Sequence, residues 1–156
     1  MIRVRPVTPA DSDAWLDMRC ALWPEGSAAE HRAEVTRFFA GLLREPLQTL
    51  IAVDSAGSPV GFAELSIRSY AEDCVTDRVA YLEGWYVAPG SRRQGVGRAL
   101  VLAAEEWARA QGCAEFASDA LLDNVVSAAA HKALGFRETV QLRCFRKVVD
   151  PSKLPP

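Results

Sequence analysis

The feature that most constrains this chain is a strand, a short polar loop and a long helix that follow one another between residues 81 and 107. Aromatic and branched residues are concentrated at 81–87, which predicts a buried strand, and Pro89 ends it. Gly95 and Gly97 then open a run in which apolar residues recur at helical spacing. We therefore expect a central strand that leads, through one loop, into the start of a helix.

This helix start has the properties of an anion-binding site. The first turn of a helix offers backbone N–H groups without intrahelical partners and carries the positive end of the helix dipole. Glycines in that turn let a phosphate approach the backbone. Three arginines surround the same turn: Arg92, Arg93 and Arg98. Binding of an anion follows from these residues alone.

The spacing of the glycines identifies the kind of anion site. A dinucleotide loop has the pattern G-x-G-x-x-G directly after its strand, but here Leu100 occupies the third glycine position. The triphosphate loop G-x-x-x-x-G-K-[ST] is absent from the sequence. The chain instead contains Arg92-x-x-Gly95-x-Gly97 after its Trp-Tyr-Val strand. An ordinary surface loop with helix-start glycines is the alternative interpretation.

That pattern resembles the R/Q-x-x-G-x-G/A signature of the GNAT superfamily of N-acetyltransferases, in which the loop binds the pyrophosphate of acetyl-CoA. The resemblance implies that acetyl-CoA lies along the central strand and the loop. The residues that it assigns to acetyl-CoA are Trp85, Tyr86, Val87, Arg92, Arg93, Gln94, Gly95, Val96, Gly97, Arg98, Ala99 and Asn124. For Asn124, a plain helix N-cap is an equally good interpretation and is compatible with this contact.

The remaining segments predict an α/β (α+β) fold. In chain order we expect strands at 2–7, 49–53, 59–67, 81–87 and 116–118, and a last strand or pair of strands over 139–149. We expect helices that start at Pro9, Ala28 and Gly95, and a final helix that Asn124 caps and that runs to Leu134. This order is similar to the GNAT fold, a mixed and mostly antiparallel central sheet flanked by helices. The resemblance places acetyl-CoA in the cleft between the central strand and the glycine-rich helix start.

Composition limits the class of protein. A chain of 156 residues is expected to form one domain, residues 1–149, followed by a flexible tail, residues 150–156. A net charge of −2 gives no general attraction to nucleic acid. No apolar run is long enough for a membrane span, and we expect no signal peptide. The four separated cysteines indicate neither a metal site nor disulfides, so we expect a cytoplasmic protein without a metal.

Short stretches outside the loop indicate a resemblance to one group within the superfamily. They include Leu22-Trp23-Pro24, Gly61–Arg68, Leu82-Glu83-Gly84, Ala117-Ser118-Asp119 and Ala133-Leu134-Gly135-Phe136. Their order and spacing over residues 2–147 are similar to those of bacterial aminoglycoside 6'-N-acetyltransferases, which confer antibiotic resistance. The resemblance implies acetyl transfer from acetyl-CoA to the 6'-amine of an aminoglycoside, within a homodimer.

For the acceptor, the resemblance indicates Trp23, Tyr70, Glu83, Asp119 and Glu138. An aminoglycoside is a polycationic sugar, so carboxylates for its ammonium groups and aromatic faces for its rings are suitable partners. Two alternatives stay open. Trp23 can be a core residue at a helix end, and Glu138 can be a solvent-facing strand residue rather than a group that reaches the neighbouring subunit's site.

The mechanism requires that the acceptor ammonium lose a proton before it attacks the thioester. We expect Glu83 to be the base, directly or through a water, in a partly buried position beside apolar walls that would raise its pKa. Simple binding of the ammonium is the alternative role for Glu83. Many family members carry a tyrosine that protonates the thiolate seven residues after Asn124, where this chain has His131. A donating histidine and a packed helix residue both remain open.

Two other functions fit parts of the sequence. The same chemistry on another small amine, such as a polyamine or a peptide amine, would keep the phosphate loop without the acidic pocket. A CoA-binding module without turnover would keep the loop without a base, and the presence of Glu83 argues against it.

Overall fold

The computed structural model describes residues 1–150 and residue 152. The described part contains one sheet, with strands β1 (Arg3–Pro6), β2 (Gln48–Val53), β3 (Pro59–Arg68), β4 (Val79–Val87) and β5 (Glu115–Ser118). Its α-helices are α1 (Ser12–Leu22), α2 (Ala28–Phe39), α3 (Val96–Ala110) and α4 (Val125–Ala133). The predicted order of elements is confirmed from the first strand to the last helix.

The sheet is mixed and mostly antiparallel, as the resemblance to the GNAT fold implies. The strands lie in the order β1-β2-β3-β4-β5, and the first four pair with one another in antiparallel fashion. Strand β5 is parallel to β4, and α3 connects the two, because parallel neighbours require a long crossover connection. The start of α3 therefore lies just beyond the end of β4.

Helices cover both faces of the sheet. On one face, α3 buries Leu100 and Ala104 against β2, β3 and β4. On the other face, Trp15 of α1 packs with Phe62 of β3, and α2 adds Val35 to the same cluster. Strand β4 is thus held between two layers of helices, which fixes the position of its backbone.

The predicted starts of the first two helices are confirmed by local hydrogen bonds. A 3₁₀ turn at Pro9–Asp11 leads into α1, and there the Asp11 carboxylate accepts from the N–H and the hydroxyl of Thr8. Ser27 and Glu30 cap each other before α2. Arg5 of β1 donates two hydrogen bonds to Asp11, at 2.7 and 2.9 Å. This interaction lowers the pKa of Asp11 to about 2 and ties the start of α1 to the edge of the sheet.

The predicted strand over residues 139–149 is wrong for this chain. The segment has no strand in the described structure, and its apolar side chains are exposed: Val140, Leu142, Phe145, Val148 and Val149. Apolar alternation indicates that one side of a segment suits burial, but it does not supply a sheet edge to pair with. Of the expected tail 150–156, residues 151 and 153–156 lie outside the described residues.

Two leucines of α3 provide a test of this layered core. Leu100 is 0% exposed and Leu102 is 47% exposed. We expect Leu100→Ala to lower the free energy of unfolding by about 2–5 kcal/mol, because the cavity faces the sheet. Leu102→Ala should change it by less than about 0.5 kcal/mol. Urea unfolding of both variants measures the difference, and equal losses would contradict the assigned inner face of α3.

Candidate active site

A β-bulge in β4 places Glu83 in a special position. Glu64 of β3 pairs with Gly84, and the next residue of β3, Leu65, pairs with Leu82. Glu83 is therefore the extra residue, opposite no residue of β3. A bulge bends its strand and redirects side chains, and bulges are frequent beside active sites. The central strand is therefore expected to bend at Glu83 and Gly84.

Strands β4 and β5 stop pairing next to this bulge. The ladder between them covers only Val79–Leu82 of β4, and β5 ends at Ser118. The remainder of β4, residues 83–87, has no strand beside it on that edge in the described structure. An unpaired strand edge presents N–H and C=O groups that an extended ligand can bind. This edge leads from the bulge to the loop before α3.

The start of α3 offers unpaired N–H groups at the end of that edge. The first backbone hydrogen bond into the helix runs from the N–H of Ala99 to the oxygen of Gly95, so the N–H groups of 96–98 precede it. Arg93 and Gly95 both have positive φ, 59° and 85°. Loop residues in this conformation turn successive N–H groups towards one side, as in anion-binding nests. The described loop therefore fits a pyrophosphate.

Gly97 has a second reason to be glycine that the sequence did not reveal. A Cβ atom there would lie 2.9 Å from Cζ2 of Trp85, so Gly97 lets the indole pack against the first turn of α3. The Nε1 atom of Trp85 is buried and has no hydrogen-bond partner among the described residues. The indole of Trp85 thus packs between the central strand and the helix start, and its Nε1–H has no hydrogen-bond acceptor among the described residues.

The bulge residue Glu83 lines an acidic pocket of about 300 Å³. Its lining consists of Arg19, Trp23, Glu34, Arg37, Leu43, Glu45, Pro46, Glu64 and Glu83. Trp23 follows α1 directly, and its ring contacts the backbone of β4, because a Cβ at Gly84 would lie 2.5 Å from Cη2 of Trp23. The sequence-predicted residues Trp23 and Glu83 are therefore brought together by the bulge.

Arg68, which the sequence did not indicate, contacts the predicted carboxylate Glu83 directly and is linked to Asp119 through Tyr81. It donates to Glu83 at 2.9 and 2.7 Å, and this pair raises the pKa of Arg68. Its guanidinium also lies 3.5 Å from the ring centroid of Tyr81. Tyr81 in turn donates to Asp119 at 2.5 Å. Burial, together with this hydrogen bond, raises the pKa of Tyr81. Glu83 thus faces a guanidinium, where we expected a partly buried carboxylate beside apolar walls.

The other predicted acceptor residues lie farther out. Asp119 and Glu138 line a larger cleft of about 930 Å³ beside β5, and Glu138 forms an exposed ion pair with Lys132 at 2.6 Å. That pair lowers the pKa of Glu138. Tyr70 is 66% exposed in the loop before β4 and lines neither the acidic pocket nor this cleft. The structure therefore groups Trp23 with Glu83 and does not place Tyr70 beside them.

His131 lies where β4 and β5 separate. Its Nε2 atom is 2.9 Å from Oγ of Ser118, and its Nδ1 atom is 2.8 Å from the backbone oxygen of Ser127. The ring also meets Trp85 edge-on, with centroids 5.3 Å apart. Asn124 acts as the N-cap of α4 and accepts a hydrogen bond from the N–H of Ser127, which leaves its amide NH₂ available to a ligand.

Two kinds of feature are absent from the described residues. Within them, no group of three or more His, Cys, Asp or Glu side chains could hold a metal ion. None of the helices in residues 1–150 is both long and apolar enough to cross a membrane.

Comparison with known proteins gives consistent results. Residues 15–136 match the family model described as the acetyltransferase (GNAT) family. An aminoglycoside N(6')-acetyltransferase type 1 of Klebsiella aerogenes is 58% identical over 144 residues, which are 92% of this chain and 95% of that protein. The enzyme of the same name from Stenotrophomonas maltophilia is 40% identical over 96% of this chain and 95% of its own length.

A solved structure of an aminoglycoside acetyltransferase is also similar to this chain in fold and sequence. The acetyltransferase AAC(6')-Iy, solved with the bisubstrate analogue CoA-S-monomethyl-acetylneamine, has a TM-score of 0.87 and 33% identity, over 96% of this chain and 99% of that one. The fold, the glycine-rich helix start and the sequence matches agree from one end of the domain to the other. The chain belongs to the acetyltransferase (GNAT) family, and within it to the aminoglycoside 6'-N-acetyltransferases.

Proposed function

We propose that this protein transfers an acetyl group from acetyl-CoA to the 6'-amine of an aminoglycoside antibiotic and thereby gives resistance. The observation that carries the proposal is the arrangement around the bulge of β4. A free strand edge runs from the bulge to an anion-binding helix start, and the bulge residue Glu83 lines a pocket with four carboxylates. One strand therefore presents a site for an anionic thioester next to a site for a cation.

Acetyl-CoA supplies an activated acetyl thioester, and this chain provides the groups that would hold it. The N–H groups at the start of α3 and the arginines Arg92, Arg93 and Arg98 suit its phosphates. The free edge at 85–87 suits the amide groups of its pantetheine arm. A backbone N–H of the same edge would polarise the thioester oxygen.

For the acceptor, we assign Glu83 as the group that takes a proton from the ammonium, directly or through a water. The side chain is one-fifth exposed and lines the acidic pocket, so an amine can reach it. Arg68 fixes both of its oxygens. Trp23 supplies an aromatic face for a sugar ring, and Asp119 supplies a further carboxylate.

The function is tested by incubating the protein with acetyl-CoA and kanamycin or tobramycin. Release of the CoA thiol is measured by spectrophotometry. We expect turnover with these acceptors and none with an aminoglycoside that lacks a 6'-amine. Turnover only with a polyamine or a peptide amine would establish the same chemistry on another substrate. Bound acetyl-CoA that no amine consumes would establish a binding module instead.

Glu83→Gln tests the base in the same assay. We expect kcat/KM to fall by about 10²- to 10⁴-fold, the usual contribution of a general base. Asp17→Asn is the control, because Asp17 is an exposed carboxylate of α1 that lines neither the acidic pocket nor the larger cleft. If Glu83→Gln instead raises KM for the acceptor and keeps kcat, Glu83 only binds the ammonium.

Gly95→Glu tests the helix start. It places bulk and negative charge where the phosphates are proposed to bind, and calorimetry should show at least about tenfold weaker binding of acetyl-CoA. Gly57→Glu is a matched control, because Gly57 has the same φ of 85° and also has nothing within 4 Å of an added Cβ. Both variants carry the same backbone strain, so equal affinities in the two would refute the assigned phosphate site.

We also propose a homodimer in which residues 139–149 of one subunit pair with the outer edge of β5 of the other. Strand β5 is last in the sheet, and that edge faces the larger cleft. The segment has the apolar alternation of a strand but no partner in its own described chain. An open edge and an unpaired strand-like segment are complementary. Glu138 directly precedes this segment and would approach the neighbouring site.

Sedimentation of the full chain should give a dimer, and Phe145→Asp should give a folded monomer. Phe145 is 88% exposed within its own subunit, so the charge should leave the free energy of unfolding of the isolated subunit unchanged. Val75→Asp is the control, since Val75 is 93% exposed in a different loop. A dimer that survives Phe145→Asp would contradict the proposed interface.

A further inference from the structure

A second carboxylate of the acidic pocket is almost completely buried. Glu64 of β3 is 3% exposed, and its Oε1 atom accepts from Nε1 of Trp15 at 3.0 Å and from Arg19 at 2.5 Å. Within the part of the chain that the structure describes, no side chain donates to Oε2. Glu64 nevertheless lines the acidic pocket, so the oxygen without a partner is the one available to a molecule in that pocket.

The charges around Glu64 leave an excess of negative charge. Arg19 is shared between Glu64 and Glu34, so that two carboxylates face one guanidinium. The complete lining contains four carboxylates, Glu34, Glu45, Glu64 and Glu83, against two guanidinium groups, Arg19 and Arg37. Glu83 is paired separately with Arg68. The part of the pocket around Glu64 therefore suits a cation.

The shape of the pocket indicates what kind of cation it accepts. Its volume of about 300 Å³ lies at the lower end of the range for small-molecule sites. The ring of Trp23 forms one wall, and the Arg19 guanidinium lies 5.0 Å from the centroid of that ring. An indole next to a buried carboxylate suits a sugar that carries an ammonium group.

We propose that Oε2 of Glu64 binds a second ammonium group of the acceptor, on a part of the sugar other than the amine that is acetylated. This rests on the proposed function, because it assumes a polycationic acceptor in the acidic pocket. Glu83 serves the reacting amine, and Glu64 serves a non-reacting one. Trp15 and Arg19 are positioning residues, since they hold Oε1 and leave Oε2 directed to the acceptor.

The buried position of Glu64 supplies a signature that a structural residue would lack. Burial raises the pKa of Glu64 to about 7, so the free protein binds a proton there in mildly acidic solution. A cation at Oε2 favours the ionised carboxylate, and its binding must therefore release that proton. Affinity for the acceptor should fall as the pH drops below about 7, although the acceptor's own amines stay protonated there.

The experiment is calorimetry of kanamycin binding at pH 6.5, in buffers that differ in their enthalpy of ionisation. We expect the wild-type protein to release more protons than Glu64→Gln, in which no proton can leave this site. Affinity should also fall by about 10- to 100-fold, as for a lost charge-assisted hydrogen bond, and kcat should change much less than KM. Asp13→Asn, an exposed carboxylate of α1, should match the wild type in all three quantities.

Trp15→Phe keeps the test valid if Glu64→Gln does not fold. It keeps an aromatic ring in the core and removes the N–H that stabilises the ionised Oε1, so the pH below which affinity is lost should move upwards. Wild-type protein that neither binds nor acetylates kanamycin would refute the proposed function. Wild-type protein that acetylates kanamycin, with unchanged affinity and proton release in Glu64→Gln or an unmoved pH profile in Trp15→Phe, would refute the role of Glu64 alone.

Discussion

The separation of β4 from β5 after Leu82 is the constraint on which the site depends. A sheet that stayed fully paired would present no free backbone between the central strand and its neighbour. Here β5 ends at Ser118, which pairs with Leu82, and the next residue of β4 is the bulge residue Glu83. The strand edge, the acidic pocket and the start of α3 are therefore all reached from one point in the sheet.

The sequence predicted this part of the molecule because its signals are local. A helix cap, a glycine at a helix start and a proline after a strand each act within a few residues. The loop at 92–97 and the caps at Thr8 and Ser27 belong to this class. The resemblance then supplied candidate residues such as Glu83 and Trp23, which the structure places in one pocket.

The remainder depends on contacts between distant residues, which a single sequence does not encode as a pattern. Arg68 ends an ordinary strand, and nothing near it in the chain indicates that it meets Glu83, 15 residues away. Glu64 occupies a regular strand position, and its partner Arg19 lies 45 residues earlier. Likewise, the alternation at 139–149 was visible, but the identity of the sheet that could pair with it was not.

The presence of arginines in and beside the acidic pocket has a physical explanation. Several carboxylates brought together without counterions would repel one another, and burial would drive them to the neutral form, which binds cations weakly. Arg19 and Arg68 each fix a carboxylate in place and offset part of its charge. Carboxylates nevertheless outnumber guanidinium groups along the lining, so the pocket keeps the excess negative charge that the proposed binding of an ammonium group requires. The arginines thus make an acidic binding site compatible with a stable core.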